Sequence, residues 1–391
     1  MFRMAVGHSD DIDLEAALAT VFEQCDAALA GAPARAGFLL ADWEADHRVI
    51  LDAVLARYPG IELAGSSTSG EMTSVLGFQE DSIALALFAS DTVNVTAGLG
   101  RDLGTDTRAA VREAVAQARR KTTLKPAMCI VLPTIGVSDP TLMLDSLRLE
   151  LGPGVPILGG GASPRDPVAD PSATQGKQFV AAEIINGGIA ILLFSGALDY
   201  SFGVETGWRG VGPRATITRM VDGRATEIDG RPATEFFDRF LGTSELPPIA
   251  NPLAVFESPT SSAFYLRTAT NLDRATGAVT FFGPMPEGAT VQLTVAAIDQ
   301  IFDGARASIT EALASFPGGR APDAALVYSC ATRRFLLGTR AGREIEVVRE
   351  VIGPDVPIAG FYCLGEIAPL PAADTSRFHN ATCVSVLLGA Q

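Results

Sequence analysis

A chain of 391 residues, 47% hydrophobic and only 19% charged, carries enough apolar material to fill real cores, which excludes a disordered protein. Its formal net charge of −15, with no long run of Lys or Arg, argues against binding a nucleic-acid backbone or an anionic membrane surface. No stretch reaches the roughly 20 apolar residues of a membrane span, no apolar leader follows Met1, and five widely spaced cysteines without a C-x-x-C pair suit a reducing compartment, so a cytoplasmic location is expected.

Leu14, Ala17, Leu18, Val21, Phe22 and Cys25 recur at three- and four-residue steps and predict a first helix, capped by Asp11 or Asp13. Residues 36–42 (AGFLLAD) read as a strand, and 48–60 as a helix stopped by Pro59-Gly60. Residues 61–72 (IELAGSSTSGEM) read as a strand running into a glycine-bearing loop, and 81–90 as a further strand. The order returns with a strand at 127–134, a helix at 140–152, a strand and glycine loop at 155–166 (VPILGGGASPRD) and a closing strand at 187–196. It returns again with a strand at 323–334, a helix at 341–353, the strand and loop VPIAGFYCLGEI from Val356, and the strand ATCVSVLLG. Helices at about 105–120 and 298–315 stand outside this recurrence. The segment 198–290, with β-branched runs broken by turns, reads as a mostly antiparallel layer with one helix after Pro232. The fold class is therefore mixed α/β: repeated strand-helix-strand units form mixed sheets in two halves, with the antiparallel segment in the middle.

Laid on one another, the three copies align Gly65 with Gly159 and Gly360. Gly70-Glu71 matches Gly365-Glu366, where the middle copy has Pro164-Arg165. Before the closing strand, FQEDS (78–82) matches FHNAT (378–382) and, more loosely, IINGG (184–188), which sets Gln79 with His379 and Asn186 with Asn380.

The segments GSSTSGEM, EIDGRPATEFF, FYLRTATNLD, YSCATRR, GFYCLGEIAPL and RFHNATCVSVLL resemble the FIST proteins, and the resemblance covers nearly the whole chain. It implies a FIST N-like domain over 1–200, a FIST C-like domain over 201–391, and a sensory role with a small ligand, amino acids being a proposed class. It further implies a signalling partner such as a histidine kinase or a cyclic-nucleotide enzyme. Some members are haem-binding nitric-oxide sensors, so haem is the cofactor the resemblance allows, with His379 as a ligand only in that case. A scaffold without ligand is the remaining alternative, and no catalytic signature marks the chain as an enzyme.

Strand ends that break into glycine expose N–H groups able to hold an anion, which makes Gly65, Ser66, Ser67 and Gly70 candidates in the first copy, and Gly360, Phe361, Tyr362, Cys363 and Gly365 in the third. Glu71 and Glu366 either hold their turns or meet a ligand ammonium. Cys330 with Arg333 three residues on is a site for a lowered thiol pKa, or inert packing. His379 and Asn380 are pocket candidates from the F-H-N match, and Arg267 can fork onto a carboxylate. Zinc on Cys330, Cys363 and His379 lacks the short paired spacing of known sites.

Overall fold

The computed structural model describes residues 1–164, 175–243, 248–370 and 375–390. The first unit runs β1 (Phe2–Ser9), α1 (Leu14–Leu29), β2 (Ala36–Asp42), α2 (His47–Arg57), β3 (Glu62–Thr68), the hairpin β4 (Glu71–Thr73) and β5 (Gly77–Gln79), then β6 (Ile83–Ser90). The second repeats this order as β7 (Val93–Gly100), α3 (Thr107–Arg119), β8 (Pro126–Pro133), α4 (Pro140–Leu151), β9 (Ile157–Gly160), β10 (Lys177–Val180), β11 (Glu183–Asn186) and β12 (Ile189–Gly196). The third opens with β13 (Leu198–Glu205). An insertion follows: β14 (Arg209–Val221), β15 (Arg224–Ile228), β16 (Arg231–Pro232), α5 (Ala233–Leu241), β17 (Leu253–Phe256), β18 (Phe264–Arg267), β19 (Ala269–Asp273), β20 (Ala278–Phe281) and β21 (Thr290–Val295). The unit then resumes with α6 (Ile298–Ser315), β22 (Ala324–Cys330), α7 (Ala331–Leu337), α8 (Gly342–Ile352), β23 (Ile358–Cys363), the hairpin β24 (Glu366–Pro369) and β25 (Ser376–His379), and β26 (Cys383–Ala390).

The fold is the expected mixed α/β class. The helices α3 and α6, set outside the repeats on sequence, are the first helices of the second and third units. The strand expected over 323–334 ends at Cys330, and a helix takes over at Ala331. Asp13 caps α1, accepting from the Ala16 N–H at 2.9 Å.

Each unit builds four strands of a sheet and lends its hairpin to a neighbour. The sheet orders are β1-β6-β2-β3-β10-β11, β25-β24-β9-β8-β12-β7 and β13-β26-β22-β23-β4-β5. Among the described residues, only the β2–β3, β8–β9 and β22–β23 strand pairs are parallel within these sheets, as crossover helices require. The inner faces of all three sheets share one core that includes Leu40, Leu132 and Tyr328, each buried. The outer faces are covered by α1 and α2, by α3 and α4, and by α6 and α8, whose apolar stripes fill three further cores. The insertion forms a separate antiparallel sheet in the order β18-β17-β21-β14-β15-β20-β19, with β16 on β15 and α5 against it.

The glycine loops meet one another. The Ser69 N–H donates to the Tyr362 carbonyl at 3.0 Å and the Tyr362 N–H to the Gly70 carbonyl at 2.9 Å. Gly161 and the Leu364–Gly365 turn exchange bonds of 2.9 and 3.0 Å, and the Ser163 N–H donates to Ser67 at 3.0 Å. Of the strand-end N–H groups expected to face an anion, that of Tyr362 is spent on joining the units and that of Gly70 on the Thr68 hydroxyl at 3.1 Å.

Candidate functional site

Register fixes the equivalence of the three copies. Phe361 faces Glu71, Gly160 faces Glu366 and Ser66 faces Gln178 across the exchanged hairpins. Gln178, and not the Pro164-Arg165 position, therefore stands where the other units carry a glutamate; Arg165 lies outside the described residues. Asp81, Gly187 and Ala381 share a left-handed φ of 52°, 75° and 56°, which supports setting Asn186 with Asn380 and Gln79 with His379.

Each unit closes over its polar residue. Glu71 accepts from the hydroxyls of Thr68 and Ser82. Ser82 also meets His8 Nε2 at 2.9 Å, and His8 Nδ1 meets the Thr73 hydroxyl at 2.8 Å. Gln178 accepts from the Thr134 hydroxyl at 2.9 Å. Glu366 accepts from the Thr382 N–H at 3.0 Å and its hydroxyl at 2.6 Å, and meets the Cys363 thiol at 3.5 Å. All three side chains are fully buried. Burial pushes the Glu71 carboxyl up to about 8 against the hydrogen bonds of Ser82 and Thr68, and raises Glu366 likewise. Both acids are thus held well above the ordinary carboxylate range, Glu366 at about 7, while bonded to the hydroxyls beside them.

Burial pushes His8, His47 and His379 down to about 4. The pH dependence of stability follows from both shifts. Below an unfolded pKa of about 6.5, the unfolded histidines take up protons that the folded ones refuse, so stability falls as pH drops toward 4. Above about 4.5, the unfolded glutamates lose protons that the folded ones keep, so stability falls as pH rises toward about 7 for Glu366 and about 8 for Glu71, by about 1.4 kcal/mol per unit for each group. These groups together place the optimum near pH 6.5. In urea unfolding, Glu71→Gln is expected to recover about 2 kcal/mol of the decline between pH 6.5 and pH 8. An unchanged slope in the variant contradicts the protonated Glu71. The amide at Gln178 shows that this station accepts the substitution.

The sequence candidates fall in three places. Gly65, Ser66, Ser67, Gly70, Glu71, Gly360, Phe361, Cys363, Gly365 and Glu366 lie in the inter-unit junction and the inner core. Arg333 and Tyr362 lie on the outer face of the third sheet, where both bond to Glu344. Arg333 turns away from Cys330, whose thiol is raised by burial and is not a reactive thiolate. His379, Asn380 and Arg267 lie where the third unit meets the insertion. Asn380 accepts from the Thr268 N–H at 3.0 Å, and Arg267 donates to the carbonyls of Pro284, Leu266 and Phe378. Among the described residues, no group of three His, Cys, Asp or Glu side chains is arranged to hold a metal ion.

At this meeting of sheet and insertion lies a cleft of about 240 Å³, lined by Val204, Glu205, Thr206, Glu257, Phe264, Tyr265, Leu266, His379 and Thr382. Two hollows of about 430 and 670 Å³ elsewhere are wider and more open to solvent, one beside His47 and Lys177 and one between α6 and α8. The smaller cleft is the one that touches the buried polar stations, since Thr382 on its wall holds Glu366. Its apolar walls and few polar groups are the usual make-up of a ligand site. Sequence reasoning reached His379 but missed Thr206, Tyr265 and Thr382. Tyr265 and Thr382 stand inside the quoted segments FYLRTATNLD and RFHNATCVSVLL. Thr206 has no local signal.

Haem does not fit these histidines. Both ring nitrogens of His8 and of His47 are engaged, and His379 Nε2 is spent on the Ala368 carbonyl at 3.0 Å. The cleft beside His379 is also smaller than the ~300–1,000 Å³ of sites for drug-sized ligands.

The FIST N domain model matches residues 35–231 and the FIST C domain model residues 233–369. The chain belongs to the FIST family. FIST domains are sensory domains that bind small ligands in signal transduction. The two matches meet at residue 232, in the hairpin of β15 and β16. An uncharacterized protein of Mycobacterium tuberculosis is 24% identical over 268 residues, 66% of this chain and 67% of that protein. An uncharacterized protein of Mycobacterium bovis is 23% identical over 268 residues, 66% of each. A crystal structure of a cyanuric acid hydrolase from A. caulinodans aligns over 100% of both chains at 12% identity, with a TM-score of 0.38, too loose a likeness to bear on fold or activity. No described helix is long and apolar enough to cross a membrane.

Proposed function

We propose that this FIST protein is a non-catalytic cytoplasmic sensor whose small ligand, an amino acid or a related metabolite, sits in the cleft beside His379 and Thr382. The observation that carries this reading is that the cleft is walled by two separate bodies. Thr206, His379 and Thr382 belong to the third unit, and Tyr265 and Leu266 to the insertion. A ligand touching both favours one relative arrangement of them and so shifts a two-state population that a partner, such as a histidine kinase or a cyclic-nucleotide enzyme, reads out. Glu205 at the mouth has no cationic side chain paired with it among the described residues, and suits a ligand ammonium. A non-catalytic role is supported by the buried acids engaged with neighbouring hydroxyls and by the thiols that burial raises.

Calorimetric titration of free amino acids tests the reading. At least one is expected to bind the intact protein, with affinity about tenfold lower in Glu205→Gln, a loss of about 1.4 kcal/mol. Absence of binding by every amino acid, or unchanged affinity in both Glu205→Gln and His379→Ala, counts against it.

A further inference from the structure

A second cleft, about 320 Å³, shares Tyr265 with the first and contains Arg148, Arg267 and Arg377. Three arginines come from three different elements: α4 of the second unit, β18 of the insertion and β25 of the exchanged hairpin. Two have carboxylate partners. Arg148 pairs with Asp145 at 2.5 Å, and Arg377 with Glu257 at 3.2 Å. Arg267 has none among the described residues: it is 5% exposed, and its three hydrogen bonds all go to backbone carbonyls, through Nε and Nη1. Its guanidinium lies 4.5 Å from the Tyr265 ring centre, and that of Arg377 lies 5.6 Å from the same ring. A buried cation without a counter-charge is costly, and burial indeed pushes Arg267 down to about 10. The Arg148 Nε–H is also buried and has no acceptor. A buried cation whose hydrogen bonds all go to backbone carbonyls, sharing one cleft with two further guanidiniums, one of which has a buried N–H without an acceptor, describes a site short of one anion.

We infer that this cleft binds the oxyanion group of a small ligand, a carboxylate or a phosphate, between Arg267, Arg377 and Arg148, with the ligand body against Leu144 and Pro284. Guanidinium forks suit both groups, and the low-dielectric setting of Arg267 strengthens the pairing. The inference does not depend on an amino acid occupying the cleft beside His379, because none of the three arginines lines that cleft.

The probes are benzoate and inorganic phosphate, titrated calorimetrically at constant ionic strength against the full chain, Arg377→Gln, Arg148→Gln and Arg267→Lys. One probe is expected to bind the unaltered protein. Arg377→Gln, at a half-exposed position that leaves the buried core intact, is expected to weaken binding about tenfold, and Arg267→Lys more than that. Tighter binding of benzoate identifies an organic carboxylate as the natural group, and tighter binding of phosphate a phosphorylated ligand. Glu205→Gln serves as the control that leaves this binding unchanged, so failure here is separable from failure of the first cleft. Should Arg267→Lys not fold, Arg377→Gln and Arg148→Gln still decide. The inference is overturned if neither probe binds the unaltered protein, or if both of those variants bind as the unaltered protein does.

Discussion

Replacing Glu344 with alanine is expected to destabilise this protein by about 3–5 kcal/mol, a large share of the 5–15 kcal/mol that holds a typical domain folded. Glu344 and Arg333 are both 0% exposed. The carboxylate accepts from Arg333 Nε at 2.8 Å and Nη2 at 2.5 Å, from the Ser329 hydroxyl at 2.8 Å and from the Tyr362 hydroxyl at 2.7 Å. Without it, a guanidinium remains inside the core with no counter-charge, and the Ser329 and Tyr362 hydroxyls lose their carboxylate acceptor. Arg333 also donates to the carbonyls of Thr206 and Ile301 at 2.5 and 2.8 Å, so its position anchors the wall of the His379 cleft to α6. The double variant Glu344→Ala with Arg333→Met is expected to be more stable than Glu344→Ala alone, because it removes the stranded charge. Urea unfolding of the three proteins checks this. A single-variant loss below about 1 kcal/mol contradicts the buried pair as a central prop.

Much of this architecture is legible in the sequence, because its signals are local. A run such as AGFLLAD is too short for a helix and too apolar for a surface, and a glycine at its neighbour's centre marks a strand approached by another backbone. Three copies of that pattern read as mixed sheets in two halves, and their arrangement as three sheets about one core appears in space. The exchange of hairpins is not legible, since β4 carries the same residues whether it pairs with its own sheet or with β23. Gln178 escapes for a related reason. A long stretch after Gly161 separates it from the loop it belongs to, and the Gly-Glu pair that marks the other two copies is gone. The helix α6 is cut off from β13 by the whole antiparallel insertion, so its place as a first helix appears only in space.

The candidate site divides along the same line. The F-H-N segment leads to His379 through its match to the FIST pattern, whereas Phe361, Tyr362 and Cys363 stand out as unusual turn chemistry. Tyr362, Arg333 and the glycines share that unusual look, yet their partners are Glu344 and neighbouring backbone. A buried ion pair and a ligand site draw on the same residue types, and only burial and partners separate them. Arg267 illustrates the converse: on a strand it reads as a surface salt bridge as easily as a ligand group, and the lack of a carboxylate opposite it among the described residues becomes visible only once the chain is folded.

Alanine at Gly360 is expected to cost at least the upper end of the about 1–3 kcal/mol typical of overpacked cores, and Gly65→Ala and Gly159→Ala are expected to match it. A Cβ at these positions would sit on the carbonyl oxygens of Val327, Leu39 and Val131, each on the parallel strand alongside and far inside van der Waals contact. The obstacle is backbone at the centre of a sheet, which cannot rotate aside as a side chain can. Gly342→Ala is the matched control: its Cβ meets nothing closer than 3.9 Å and lies at the start of a helix, where alanine gains up to about 1 kcal/mol over glycine. Thermal unfolding of the four variants is expected to separate the three glycines from the fourth. Equal behaviour of all four would remove the close strand approach as the reason for glycine at these positions. The same geometry explains why the GFYCLGE segment combines two kinds of residue: Gly360 is set by the strand beside it, and Glu366 by a hydroxyl as Glu71 is in the first unit, while Tyr362 answers to Glu344, a partner within the third unit.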